Sequence, residues 1–279
     1  MEAIHLRVQT DLIWMTWIAF LIALPFYHFL RQRDPLIRWH EHGNVSTKPF
    51  QLFDVGLVLL FFLGTTALNK LAEAQSVGKE AELSLELLMT NGLLNIAILC
   101  FFVMMFVWRG ENVVEMFGLS RLNGRGIAIW GGVVGVLAIP LVMIVGLVSN
   151  GLLIPKLGEL PPQPVVAAFM DNSDLVFRLA MLVMVVVIAP VFEEVLYRGY
   201  LYGVSKRFTD RFFAVVFSSS VFALVHSGMI TVIPIFTLAV FLALAYELSG
   251  CLVVPIVIHM LFNLANVIGM LWFPEVVGS

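Results

Sequence analysis

Long apolar runs separated by short polar segments dominate the chain. A membrane-crossing helix needs about 20 mostly apolar residues. Runs that reach or approach this length cover 11–30, 52–69, 87–108, 127–148, 175–199, 212–228, 231–248 and 252–273. The pattern predicts an all-α fold, a polytopic transmembrane bundle of about eight spanning helices. The sixth and seventh runs are short and almost contiguous, so a tight helical hairpin or one re-entrant helix is expected there. Gly131 and Gly135 are four residues apart in the fourth run, a spacing that lets a neighbouring helix approach closely.

Composition agrees with the pattern. Of the 279 residues, 60% are hydrophobic and 13% charged, whereas soluble domains carry about 25% charged residues. The net charge is −3, and no basic patch with interleaved aromatics is present, so a nucleic-acid partner is not expected. Cys100 and Cys251 lie in apolar runs outside any CxxC motif and are expected to be small buried apolar side chains. The first run lacks a small-residue cleavage site and reads as a retained helix.

Charge along the loops predicts orientation. Arg31, Arg33, Arg38 and Lys48 follow the first run; Arg109, Arg121 and Arg125 follow the third; Arg198, Lys206, Arg207 and Arg211 occupy the segment 198–211 at the end of the fifth. The alternate loops are poorer in positive residues. Lys and Arg stay on the cytoplasmic side, which implies both termini outside and the end of the fifth helix inside. Short loops and the lack of a targeting signal fit a prokaryotic plasma membrane. Residues 1–150 are read as N-terminal transmembrane helices, and 175–273 as the part that carries chemistry.

Several polar residues have ordinary explanations. His28, Asp54, Asn69 and Glu247 lie near predicted helix ends, where side chains can reach the interface. Three clusters resist this reading: Glu193-Glu194-x-x-x-Arg198, Phe222-x-x-x-His226 and His259-x-x-x-Asn263. Residues four apart share a helix face. Glu194 and Arg198 can therefore pair, while Glu193, about 100° around the axis, points elsewhere. His259 and Asn263 share a face, and Phe222 can stack on the His226 ring. A purely structural polar network would be an expensive glue, because small residues and hydroxyls join helices at lower cost.

EEVLYR at 193–198, FALVH at 222–226 and HMLFN at 259–263 together resemble the CPBP (CAAX protease and bacteriocin-processing, or Abi) family of intramembrane proteases, which includes the Rce1-type prenyl protease. The likeness covers roughly 175–270. It implies an Rce1-like core in the C-terminal half, and hydrolysis of a peptide bond in a membrane-embedded, membrane-associated or prenylated substrate. Carried over, it makes Glu193 the base that activates water with help from His226. Glu194 becomes its essential neighbour, oriented by Arg198, and His259 with Asn263 the oxyanion-stabilising pair. Phe222 supports His226.

The residues suffice for such chemistry without a serine or cysteine nucleophile: a carboxylate to take a proton from water, and N–H donors for the oxyanion. The favoured expectation is a metal-free mechanism. Its rival is a zinc site of Glu193, His226 and His259 with Glu194 as base, as in metalloendopeptidases, although no HExxH is present. Two further classes compete: a non-catalytic membrane scaffold or immunity protein of the same fold, and a small proton-coupled transporter. By rise alone Glu193 falls about 20 Å from Lys206, near mid-bilayer, with His259 shallower. Tyr197, Tyr200 and Tyr202 are expected at an interfacial mouth or in an aromatic belt.

Overall fold

A computed structural model describes residues 2–33, 43–75, 83–157, 164–226 and 230–272. The helices are α1 (Glu2–Arg33), α2 (Leu52–Gln75), α3 (Leu85–Trp108), the single turn α4 (Val113–Met116), α5 (Gly124–Leu157) and α6 (Pro164–Asp171). They continue as α7 (Leu175–Phe208), α8 (Arg211–Val225), α9 (Val232–Ser249) and α10 (Val253–Trp272). All eight apolar runs are helices. Six are long and apolar enough to cross a membrane: α1, α3, α5, α7, α9 and α10. The apolar part of α2, Leu52–Ala67, and the 15-residue α8 are shorter. At 1.5 Å per residue α8 reaches about 22 Å, less than a hydrocarbon slab of about 30 Å.

The outside of the bundle is apolar. Leu60, Leu147 and Ile22 are 71%, 70% and 63% exposed, as expected of a multi-pass membrane protein whose solvent is lipid. Cys251 is buried as expected, but Cys100 is on this outward surface, where a small apolar side chain is equally at home in lipid. Helix starts carry their caps: Ser84, Asp174 and Asp210 accept hydrogen bonds from Leu87, Val176 and Phe213 N–H. Gly250, at φ 63°, ends α9 in the left-handed region and lets the chain enter α10 three residues later.

Helices α8 and α9 pack along each other, and α9 and α10 both pack on α5. The Gly131/Gly135 spacing works here. A Cβ on Gly131 would lie 2.9 Å from Val257 Cγ1, and one on Gly135 would lie 3.4 Å from Leu261 Cδ1, so both glycines hold α10 against α5. Gly132 faces open space. Gly131→Leu should therefore destabilise by about 1–3 kcal/mol through overpacking, while Gly132→Ala should be neutral or slightly stabilising. Thermal melts in detergent distinguish the two.

Helix α7 is not uniform. Its Ala189–Glu194 segment lies between two π-helical stretches, Met184–Ile188 and Val195–Tyr202. Pro190 has no N–H and crowds the carbonyl four residues back, which accounts for the wider turn before it. That turn shifts bonding by one place, so the Ala189 N–H goes to Met184 O.

Two buried ionic clusters correct the interfacial reading of Asp54 and Glu247. Asp54 is fully buried. It pairs with Arg109 at 2.7 Å and accepts from Tyr200 Oη at 3.1 Å and Gln51 N at 2.6 Å. Glu247 pairs with Lys206 Nζ at 2.8 Å and accepts from Tyr202 Oη at 2.5 Å and Asn44 N at 3.1 Å. Lys206 also donates to Val45 O at 3.0 Å. The side chain of Asn69 lies outside the described residues. Tyr197, Tyr200 and Tyr202 form neither mouth nor belt; all three are buried, two as donors to these carboxylates. Arg198 and Lys206 are not loop charges either, because both sit inside α7 at 0% exposure.

Candidate active site

The EExxxR spacing does what an i,i+4 pair on a helix can do. Arg198 Nη1 donates to Glu194 Oε1 at 2.9 Å, with both side chains fully buried. The second guanidinium nitrogen reaches α9 and donates to Ala239 O at 3.1 Å. The guanidinium also lies over the Phe222 ring of α8, 4.4 Å from its centroid. Arg198 thus joins α7, α8 and α9 around one buried carboxylate.

His259, on α10, meets the same carboxylate. Its Nδ1 lies 2.9 Å from Glu194 Oε1, and its Nε2 lies 3.8 Å from Glu193 Oε2. A carboxylate held by arginine accepts, so the hydrogen shared with Glu194 sits on Nδ1, and Nε2 turns toward Glu193. The two glutamates differ as the 100° rotation requires: Glu194 is sealed, and the Glu193 side chain is 23% exposed. The helix that buries one carboxylate against its neighbours turns the next toward the edge of the site.

His226 follows the last residue of α8. Its Nδ1 is 2.6 Å from Phe222 O, and the two rings are 4.6 Å apart. A carbonyl only accepts, so Nδ1 carries the hydrogen and Nε2 is the acceptor. Phe222 also meets the edge of His259, at 5.8 Å between centroids. One aromatic ring therefore contacts both histidines and the arginine. Residues 227–229, where the expected hairpin would turn, lie outside the described residues.

Asn263 has a different setting from the shared donor point expected with His259. Its Nδ2 donates to Val185 O at 2.8 Å. That carbonyl has lost its helical partners, because the Ala189 N–H is taken by Met184 O and Pro190 has none. Asn263 restores the missing bond across the helix interface and keeps one amide N–H for other use. His259 and Asn263 thus face different acceptors, and the pair does not converge on one point.

The expectation that His259 lies shallower than Glu193 is also corrected. Leu252 packs where a Cβ on Gly199 would be, at 3.4 Å, so α10 begins level with Gly199 rather than with the end of α7. His259 is six residues into α10, about 9 Å along it, and it meets Glu194 there. The remainder of α7 overhangs this level and is covered by the 43–51 segment, with Phe50 filling the space beside Gly203.

The zinc alternative can be tested against these positions. His259 and His226 each engage Nδ1, with the Glu194 carboxylate and the Phe222 carbonyl, and His259 Nε2 stands 3.8 Å from Glu193. Among the described residues no three His, Cys, Asp or Glu side chains gather as metal ligands. As arranged, Glu193, His226 and His259 do not form a tetrahedral donor set.

Residues 175–265, which run from the start of α7 through His259 and Asn263, match the family model for Rce1-like proteins, described as type II CAAX prenyl endopeptidase Rce1-like. This segment is an Rce1-like domain. No curated protein and no solved structure matches the chain. The Rce1-like domain holds every residue of the three motifs, but its buried groups also bond outside it: Tyr200 to Asp54, Lys206 to Val45 and the His226 carbonyl to Gln9. Nothing in the spacing of the three motifs points to these partners. Gln9 carried one faint signal, being an amide at the head of an apolar run.

Proposed function

We propose that the protein is an intramembrane endopeptidase that hydrolyses a peptide bond in a membrane-associated or lipidated peptide, using water activated by Glu193. The observation that carries this reading is the pair of unlike glutamates. Glu194 is locked by Arg198 and His259, while the partly exposed Glu193 faces His259 Nε2 at 3.8 Å. A water about 2.8 Å from both acceptors would donate one hydrogen to each. As its oxygen bonds to the scissile carbonyl carbon, Glu193 takes the proton. The C–N bond then breaks, and the proton passes to the leaving amine. His226 Nε2, an acceptor fixed by the Phe222 carbonyl, suits the relay of that proton. The free N–H of Asn263 is the donor nearest in character to what an oxyanion needs. This differs from the sequence expectation by moving His259 from the oxyanion to the water.

The site is read as opening toward the cytoplasm, with both termini outside. Supporting this, the ends of α1 and α7 meet through Arg31, which donates to Arg207 O and Thr209 O, and Asn44 binds the end of α9 through Leu248 O. The basic segments therefore gather on one face, the face that belongs inside.

The test uses the purified full chain in liposomes with a farnesylated peptide and its unlipidated counterpart, in water enriched in oxygen-18. Cleavage should place one heavy oxygen in the new carboxylate, and chelation should not reduce it. No cleavage of either peptide refutes the peptidase. Proton-coupled flux in the same vesicles would then favour a transporter. Activity abolished by chelation and restored by zinc refutes the metal-free mechanism.

A further inference from the structure

Helix α1 lies outside the Rce1-like domain, yet it runs along the whole of α8. At the start of α8, Tyr27 donates to Asp210 and Arg31 donates to Thr209 O at 2.8 Å. Midway, Phe20 stacks on Phe217 at 4.4 Å between centroids, and Trp17 meets the same ring edge-on at 5.2 Å. Toward the far end, Ile13 and Thr16 face Val221, Leu224 and Val225. At the last turn Gln9 Nε2 donates to Leu224 O at 2.8 Å and to His226 O at 2.7 Å.

The carbonyls in the last turn of a helix have no partner within it. In an apolar environment an unmet carbonyl is costly. α8 ends within the bundle at the residue whose ring matters to the site, and one primary amide supplies a hydrogen to each of two carbonyls there, Leu224 and His226. It can do so because an NH2 group carries two of them. The ring of His226 is held from the other side by Phe222, through the 2.6 Å contact to its carbonyl and the ring contact. Backbone and ring are thus fixed by different residues, and only the backbone hold comes from α1.

We propose that Gln9 is a positioning residue for His226, a latch by which the N-terminal helix sets the proton-relay histidine of the Rce1-like domain. The catalytic part of this statement rests on the peptidase reading above; the positional part does not. Without the amide, the Leu224 and His226 carbonyls must seek other donors. The end of α8 then unwinds or turns, and the imidazole moves with it. Displacement of about 1 Å at a reacting group can cost about a hundredfold in rate. Lysine at position 9 keeps N–H donors and should hold the turn; methionine keeps the length and removes them.

The experiment compares wild type, Gln9→Met and Gln9→Lys as full chains in nanodiscs, with nitrogen-15-labelled histidine. In Gln9→Met the ring resonances assigned to His226 should shift or broaden, those of His259 should not, and Gln9→Lys should restore them. With the farnesylated peptide, kcat of Gln9→Met should fall about 10- to 100-fold with KM within a factor of two, and lysine should recover most of it. Unmoved His226 resonances in a folded Gln9→Met protein overturn the latch whatever the activity. Moved resonances with unchanged kcat in an active enzyme overturn its catalytic role. A wild type that cleaves nothing removes the peptidase reading, and the resonances still decide the latch. If Gln9→Met fails to fold, the milder Gln9→Asn is read by the same spectra.

Discussion

Changing Glu193 to Gln should leave a folded protein that no longer cleaves peptide, whereas the same change one residue later should damage the fold itself. Both substitutions replace one oxygen by NH2 and keep shape. Their settings differ. Glu193 is partly exposed and is 3.8 Å from its nearest ionic partner, so losing its charge leaves no buried cation unmatched. The loss is kinetic: a general base contributes about 10²–10⁴ in rate, and turnover should fall by about that factor. Glu194 is fully buried against Arg198 and His259. In Glu194→Gln the Arg198 guanidinium, also at 0% exposure, keeps its charge but loses its buried carboxylate, and the neutral glutamine and Ala239 oxygens with the Phe222 ring do not replace it. Removing one partner of a buried pair costs about 3–5 kcal/mol. Unfolding in mixed micelles should register that loss for Glu194→Gln and almost none for Glu193→Gln. Equal stability loss in both variants would contradict the division of labour between the two carboxylates, and full activity in Glu193→Gln would contradict the mechanism.

How far the molecule could be read in advance depended on the range of each interaction. Run length alone located the eight apolar helices, because lipid demands length before it demands any pattern. The Glu194–Arg198 pair, the turn of Glu193 away from it and the Phe222–His226 stacking follow from spacing within one helix, and all three are found. What sequence spacing could not show depends on the register between helices. The partner of Asp54 is 55 residues away and that of Glu247 is 41 away, so neither charge announced its burial. Asn263 was expected to point with His259; instead Pro190, on another helix, leaves a carbonyl at Val185 that takes its amide. The level of His259 differs from expectation for the same reason, since Leu252 docks beside Gly199 instead of beside the end of α7.

Lys206→Met is expected to be the most damaging change away from the three motifs, and Glu247→Gln should partly rescue it. The lysine has no exposure and holds Glu247 at 2.8 and 2.9 Å with the Val45 carbonyl at 3.0 Å. Methionine fills similar space but strands the carboxylate, leaving it the hydrogens of Tyr202 and Asn44. A loss of about 3–5 kcal/mol is expected, where a surface pair would give about 0–1. In the double variant the glutamine oxygen still accepts from Tyr202 and no charge is left unmatched. It should therefore be more stable than either single variant, with a coupling of about 2 kcal/mol or more in a double-mutant cycle. Additive single effects would mean that the two residues act separately. The consequence for the site follows from geometry. α9 is tied to α7 at two levels, by Arg198 at Ala239 O and by Lys206 at Glu247. Losing the Lys206 part of the second tie leaves Arg198 and the Tyr202–Glu247 hydrogen bond to hold α9, so Lys206→Met should also lower turnover, and the double variant, which removes the stranded charge without restoring the ion pair, should regain stability ahead of activity.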